Sequence, residues 1–398
     1  MKATTIKWVD RRIGIIICRL LSSWEKIVGG HKKTVPTQKI LFIKLIEQGA
    51  SVLAYSALKE AVSKVGKENV YFMVFEENKP ILDFLNILEP QNIIIIRNDR
   101  FVNIVIDLLK AIRFTRKLKI DSCVDMEFFS RASAIISYLS GAKKRVGLYS
   151  FTSEHPYRGN LITHKIHYNP YVHVSNYYLM LVKALEEKPL NEPLLKSPAI
   201  DFPVEKPKVE LETTLIDGVK KIIGKGLSDQ KLVVLNPNAS DMLPLRKWET
   251  AKFKQLAQRL LKEYDQLIVV FTGIEKEKRP IEELIKDLDP KRVLNLAGKT
   301  SLEQLMGLYE LSDLVITNDS GPAHFASMFN PSIIVLFGPE TPDLFAPLGD
   351  KVQVIYKKLA CSPCVNVFNH RFSPCTNNVC MQNIQVEEVL EKAKEVLK

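Results

Sequence analysis

From residue 38 onward the chain alternates short, nearly uninterrupted apolar runs with longer stretches in which apolar residues recur every three or four positions. Runs of the first kind at 39–46, 70–75 and 92–96 predict strands. Their Ile, Val and Leu content, without polar alternation, predicts strands covered on both faces of a parallel sheet. Stretches of the second kind at 52–65, 102–119 and 128–139 predict the covering helices. The interval 190–208 holds Pro193, Pro198, Pro203 and Pro207, with Pro189 just ahead, and shows no apolar period, so it predicts a linker. The same grammar then restarts, with strands at 231–235, 267–272, 292–296, 314–317, 333–337 and 352–356. Helices are expected between them at 249–264, 279–288 and 301–311, and a last one at 386–398. The prediction is an α/β protein of two doubly wound, Rossmann-like domains, 38–205 and 206–398, facing a central cleft. A length of 398 residues, more than one hydrophobic core usually supports, agrees with two domains.

Charge adds a third part. The net charge is +11 and unevenly spread: residues 1–33 hold eight Lys or Arg against Asp10 and Glu25. No helix-turn-helix, RNA-binding or zinc-finger pattern accompanies it, so nucleic acid is not the expected partner. The run 6–28 places Trp8 and Trp24 near its ends, Ile13 to Cys18 at its centre, and Arg11, Arg12 and Arg19 alongside. It is too short and too charged to span a bilayer, which takes ~20 apolar residues, and no small-residue cleavage site follows it. Segment 1–37 is therefore expected to be a basic amphipathic helix lying on an anionic membrane surface, with packing on the protein body as the alternative.

The richest chemistry lies at 312–349. An apolar strand ends in Asn318-Asp319-Ser320-Gly321, Pro322 opens a helix, and a second strand follows Pro331. Proline suits a first helical position, and the first-turn N–H groups at Ser320 to Ala323 with the helix dipole behind them favour an anion such as phosphate. His324, one turn in, adds an imidazole donor. Asp319 would repel phosphate and suits a sugar hydroxyl or an amine. A phosphate carrying a polyol is the expected ligand.

These residues resemble the donor-site signature of the heptosyltransferases, glycosyltransferase family 9, whose pattern runs D-[ST]-G-P-x-H and then L-F-G-P-T. Asp319, Ser320, Gly321, Pro322, His324 and Leu336-Phe337-Gly338-Pro339 match, while Glu340 precedes Thr341 where the family has Thr first. Asn236-Pro237-Asn238-Ala239-Ser240 ahead of Arg246-Lys247-Trp248, and Phe271-Thr272-Gly273 ahead of Glu275 and Glu277, resemble two further family segments. The resemblance runs from about residue 38 to the C-terminus. It implies the GT-B architecture, with the last helix packing back across the cleft. It also implies an inverting, metal-independent transfer of a sugar, such as heptose from ADP-heptose, to a lipopolysaccharide-core or other lipid-linked saccharide at the inner face of the cytoplasmic membrane. The donor contacts it implies are Ser240, Arg246, Lys247, Glu275, Asp319, Ser320, Gly321 and His324, with Arg246, Lys247 and the Ser320–His324 turn neutralising the departing diphosphate.

The acceptor side departs from the pattern. Family members follow the first strand with Gly-Asp, the Asp serving as general base, but here Gly49 is followed by Ala50. Alanine accepts no proton, so Glu47 is the expected base, with Asp125 or Glu127 as substitutes. A catalytically silent nucleotide-sugar-binding or scaffold protein is the alternative function. Cys361-x2-Cys364-x10-Cys375-x4-Cys380, with His370 among them, has the spacing of a structural zinc or iron–sulfur knuckle. Free packing thiols and disulfides are the other readings, and no other cofactor is expected. The cysteines are expected to lie apart from the chemistry.

Overall fold

The computed structural model describes residues 3–28, 35–151, 157–224, 230–241, 243–369 and 371–398, apart from the side chains of 3–8, 28 and 369. Trp8 and His370 thus fall outside the described side chains. The chain divides into two compact units, Met1–Glu205 and Lys206–Lys398.

Unit 1 is a six-stranded parallel sheet of β1 (Ile40–Ile43), β2 (Val70–Phe75), β3 (Ile93–Ile96), β4 (Ser122–Asp125), β5 (Lys144–Tyr149) and β6 (His164–His167), in the order β3-β2-β1-β4-β5-β6. Its helices are α1 (Ala3–Val28), α2 (Gln48–Leu53), α3 (Tyr55–Val65), α4 (Lys79–Leu85), α5 (Phe101–Lys117), α6 (Arg131–Leu139) and α7 (Val174–Lys183). All four residues of β1 are fully buried, as an uninterrupted Ile-Leu-Phe-Ile run requires. Each such side chain contributes roughly 1.5–3 kcal/mol on leaving water. The helix expected at 52–65 is two, α2 and α3, meeting at Ala54.

Unit 2 repeats the plan. Its strands β7 (Lys231–Asn236), β8 (Leu267–Phe271), β9 (Val293–Asn295), β10 (Leu314–Asn318), β11 (Ser332–Phe337) and β12 (Val352–Tyr356) are all parallel, in the order β12-β11-β10-β7-β8-β9. The helices are α8 (Thr213–Ile223), α9 (Thr250–Glu263), α10 (Lys278–Ile285), α11 (Leu302–Leu311), α12 (Gly321–Ser327), α13 (Pro342–Phe345), α14 (Val379–Gln382) and α15 (Val386–Val396). The terminal helix α15, expected to reach back across a cleft, buries Val386, Val389, Leu390 and Ala393 in the core of its own unit, which also holds Trp248 and Phe253.

In each unit the first strand has its chain successor on one side and the fourth strand on the other. The connections from β1 and β4, and from β7 and β10, leave in opposite directions and open a crevice at the carboxyl ends of those strands. Both sets of candidate residues sit at these addresses.

Candidate functional site

In unit 2 the loop after β7 and the turn after β10 are joined by Asn318. Its Oδ1 accepts the Trp248 backbone N–H at 2.9 Å and its Nδ2 donates to the Asn238 carbonyl at 3.0 Å. Trp248 is fully buried, edge-on to Phe253 with ring centroids 4.9 Å apart, and its indole N–H donates to the Ile384 carbonyl at 2.9 Å. An Arg-Lys-Trp triplet anchored by its tryptophan holds Arg246 against the β10 turn. Arg246 Nη1 donates to the Asp319 carbonyl at 3.1 Å, its Nε lies 3.5 Å from Asp319 Oδ2, and its Nη2 lies 3.7 Å from Glu340 Oε2. Glu340 in turn accepts two parallel hydrogen bonds from Arg371, Nε to Oε1 at 2.8 Å and Nη2 to Oε2 at 2.9 Å. The result is an alternating row, Asp319–Arg246–Glu340–Arg371, two acids and two bases.

Burial tunes this row. It pushes the Asp319 carboxyl up, with Arg246 opposing. It pushes the Arg246 guanidinium down, but the Asp319 and Glu340 carboxylates outweigh it and hold Arg246 above its ordinary value. The pair fixes the turn, while Arg246 Nε and Asp319 Oδ2 are buried without a hydrogen-bond partner among the described residues.

Ser320 caps α12 in extended conformation, its Oγ donating to the Asn318 carbonyl at 3.2 Å and lying 3.4 Å from Thr317 Oγ1. Gly321 and Pro322 form the first positions of α12, and His324 is buried one turn in. The structure therefore brings Arg246, Asp319, Ser320, Gly321 and His324 together at the ends of β7 and β10. Ser240, Lys247 and Glu275 are exposed in the loops around the ends of β7 and β8. Glu275 stands over Gly298, where the backbone has φ +69° and an added Cβ would collide with the Glu275 carboxylate.

Sequence reasoning missed Asn318, Glu340 and Arg371. Asn318 has a signal, an amide directly before the motif acid. Arg371 has none, because its partner is 31 residues away. Sequence reasoning also passed over Asp287-Leu288-Asp289, which has the spacing of a carboxylate pair for a metal diphosphate. It lies ahead of β9, at the amino end of the sheet, where Asp287 pairs with Lys254 at 2.5 Å and Asp289 Oδ1 accepts the Lys291 N–H at 2.9 Å.

The cysteine segment is not apart from this chemistry. It carries Arg371, and its Val365 N–H donates to the Pro339 carbonyl at 3.0 Å. Gly338 is where α14 closes on the loop: an added Cβ would collide with Met381 Sδ and stand 3.1 Å from Cys380 Sγ. Cys361 and Cys375 are exposed, Cys364 is half-buried and Cys380 is buried. Burial raises the Cys380 thiol, and the charges of Cys364, Cys361 and Cys375 add in the same sense. Among the described residues no group of three or more His, Cys, Asp or Glu is arranged to hold a metal ion.

At the corresponding crevice of unit 1, buried Lys44 bridges two carboxylates, Glu127 Oε2 at 3.0 Å and Glu47 Oε2 at 3.3 Å. The other Glu127 oxygen accepts the backbone N–H groups of Leu45 and Ile46 at 2.7 and 3.3 Å. Asp125, at the end of β4, is fully buried, accepts from Ser133 Oγ at 2.9 Å and lies 3.8 Å from Arg158 Nη1. Burial pushes its carboxyl up to about 7 against the Arg158 charge. Exposure separates the three acids: 0% for Asp125, 13% for Glu127 and 23% for Glu47. Glu47 also has φ 78° and ψ 94° at the start of α2, a left-handed conformation that a non-glycine residue rarely adopts and that often marks functional positions.

Comparison with known proteins bears on the family and the fold. The chain matches the model of glycosyltransferase family 9 (heptosyltransferase) over residues 115–371. It is 30% identical over 171 residues to lipooligosaccharide heptosyltransferase 2 of Campylobacter jejuni, covering 42% of this chain and 52% of that protein. It is 33% identical over 131 residues to lipopolysaccharide heptosyltransferase 2 of Salmonella typhimurium, covering 32% and 37%. The matches thus span about half the length of the first relative and less of the second. In fold it resembles the E. coli ADP-heptose LPS heptosyltransferase II, with a TM-score of 0.67 at 20% identity over 90% of this chain and 98% of that one. A family 9 glycosyltransferase from Veillonella parvula gives 0.67 at 15% identity over 92% and 98%. Motifs, two parallel α/β units of GT-B type and a family match over most of the chain together place this protein in glycosyltransferase family 9, the heptosyltransferases.

Proposed function

We propose that this chain transfers a sugar, heptose from ADP-heptose, to a lipopolysaccharide-core or other lipid-linked saccharide, with inversion and without a metal ion. The observation that carries the reading is the joining of Asp319, Ser320 and His324 to the Arg246–Trp248 segment at the carboxyl ends of β7 and β10, where such sheets bind nucleotides. In the reaction the acceptor hydroxyl gives its proton to Glu47 as its oxygen bonds to the anomeric carbon. The bond from that carbon to the diphosphate breaks on the opposite face. Arg246, paired with two carboxylates, positions the Asp319 turn, and with exposed Lys247 and the first turn of α12 it meets the charge on the diphosphate. Ser240 contacts phosphate and Glu275 the nucleoside.

The enzyme works on a lipid-linked acceptor as a peripheral protein at the inner face of the cytoplasmic membrane. No helix among the described residues is long and apolar enough to cross a bilayer. Support for membrane binding comes from α1, whose outward stripe is Ile13, Ile16, Ile17, Leu20, Trp24 and Ile27. Its inward stripe is Asp10, Gly14, Cys18 and Ser22, with Asp10 3.6 Å from Arg131 and Ser22 Oγ accepting the Asn160 N–H at 3.0 Å. A helix packed on the body through its apolar side would show the reverse.

The test is transfer from ADP-heptose to a water-soluble core acceptor in EDTA. Product should form at the rate seen without chelator, and Asp319→Ala or His324→Ala should lower kcat/KM for the donor at least tenfold, about 1.4 kcal/mol. A requirement for added Mg2+ defeats the metal-free mechanism. Donor binding without turnover favours the silent binding protein that Ala50 suggests.

A further inference from the structure

Helix α5 is apolar on two sides. Inward, Ile104, Leu108 and Ala111 pack against the core of unit 1, with Asp107 and Thr115 buried beside them. Asp107 is satisfied there by Arg97, whose Nε and Nη2 donate at 2.8 Å each and whose backbone N–H donates at 3.1 Å. Thr115 Oγ1 donates to the Ile112 carbonyl at 3.0 Å. The outward side carries Phe101, Val102 and Leu109, 55%, 63% and 57% exposed, together with Val105 and Ile106. In a helix exposed only to water the apolar stripe faces the core.

Two helices of unit 1 carry such an exposed apolar face, and both neighbour α6. Asp10 of α1 accepts the Ala132 N–H at 2.7 Å at the start of α6, and Arg116 of α5 donates to the Leu139 carbonyl at 2.7 Å at its end. Exposed Arg100, Lys110, Arg113, Lys117 and Lys119 accompany the α5 face, with Asp99 as the exposed acid at its start. Exposed Arg11, Arg12, Arg19 and Lys26 accompany α1.

We infer that α5 is a second lipid-binding helix, and that with α1 on the other side of α6 it rests the protein on an anionic phospholipid surface. The apolar side chains enter the headgroup and acyl boundary while the basic residues meet lipid phosphates. A second copy of the chain is a poorer occupant, because a two-fold interface would set this basic face against itself. The inference extends the membrane reading of α1 and is independent of the transfer chemistry.

The experiment is co-sedimentation of the full chain with vesicles of phosphatidylglycerol and phosphatidylethanolamine, without donor or acceptor. The variant Val102→Gln/Ile106→Gln/Leu109→Gln leaves α1 and the core untouched, and its melting temperature serves as the control for folding. It should partition at least about tenfold less than wild type. The variant Lys110→Glu/Arg113→Glu/Lys117→Glu should bind less at low salt and approach wild type at high salt. Equal partitioning of the glutamine variant and wild type overturns the proposal. So does a wild-type dimer in the absence of vesicles that the glutamine variant abolishes. Failure of the transfer reaction leaves this result unaffected.

Discussion

Glu47→Gln is expected to keep donor affinity and to lower the transfer rate by about 10² to 10⁴, the usual cost of losing a general base. Three acids share the unit 1 crevice, and geometry ranks them. Asp125 is sealed beneath Ser133 and Arg158, and Glu127 spends one oxygen on two backbone N–H groups and the other on Lys44. Glu47 is the most exposed of the three, and Lys44, itself buried, orients it from one side at 3.3 Å. Its positive φ supplies an independent control, since glycine adopts that conformation without penalty. Glu47→Gly should therefore be about as stable as wild type, or more so, yet as inactive as Glu47→Gln. Stopped-flow transfer alongside equilibrium donor binding separates these effects. Full activity in both variants would assign the proton to another acceptor.

Arg246→Met is expected to destabilise unit 2 by about 3–5 kcal/mol, the typical cost of breaking a buried ion pair from one side. Methionine fills the space of the arginine stem but leaves Asp319, already pushed up by burial, without its cation. Glu340 keeps its two hydrogen bonds to Arg371, so the loss should fall mainly on the Asp319 turn. Adding Asp319→Asn should return part of the stability, because no buried charge then lacks a partner. Thermal or urea unfolding of the single and double variants measures this coupling. Unchanged unfolding of Arg246→Met would show that the row Asp319–Arg246–Glu340–Arg371 does not hold the turn.

Apolar continuity made most of unit 2 legible: each of its six strands overlaps a predicted run, and the inner strands β7, β8, β10 and β11, buried on both faces, have no room for polar alternation. In unit 1 the same signal failed at β4, β5 and β6, whose sequences SCVD, KRVGLY and HKIH carry Ser122, Asp125, Arg145 and His164 into buried positions. Those side chains are tolerated through tertiary partners, such as Arg145 Nε to the Leu161 carbonyl at 2.6 Å, that no local pattern encodes. The donor turn was legible because proline, glycine and the motif acid act locally on backbone geometry. The charge row was not, because Glu340 and Arg371 meet only in three dimensions. The outward apolar face of α5 was invisible for a related reason: its period marks a helix, and only packing shows which stripe faces outward.

Glu340 stands where the family pattern has threonine, and its carboxylate is matched by Arg371 through two parallel hydrogen bonds. An acid admitted to a buried loop without that arginine would be a liability, and the arginine without the acid would be equally costly. The two positions should therefore be inherited as a unit. Among relatives that keep threonine at the position of Glu340, the residue aligned with Arg371 should be free to vary, and sequences with an acid there should carry arginine. An alignment that scattered the two residues independently would mean that this corner of the fold tolerates unpaired charge.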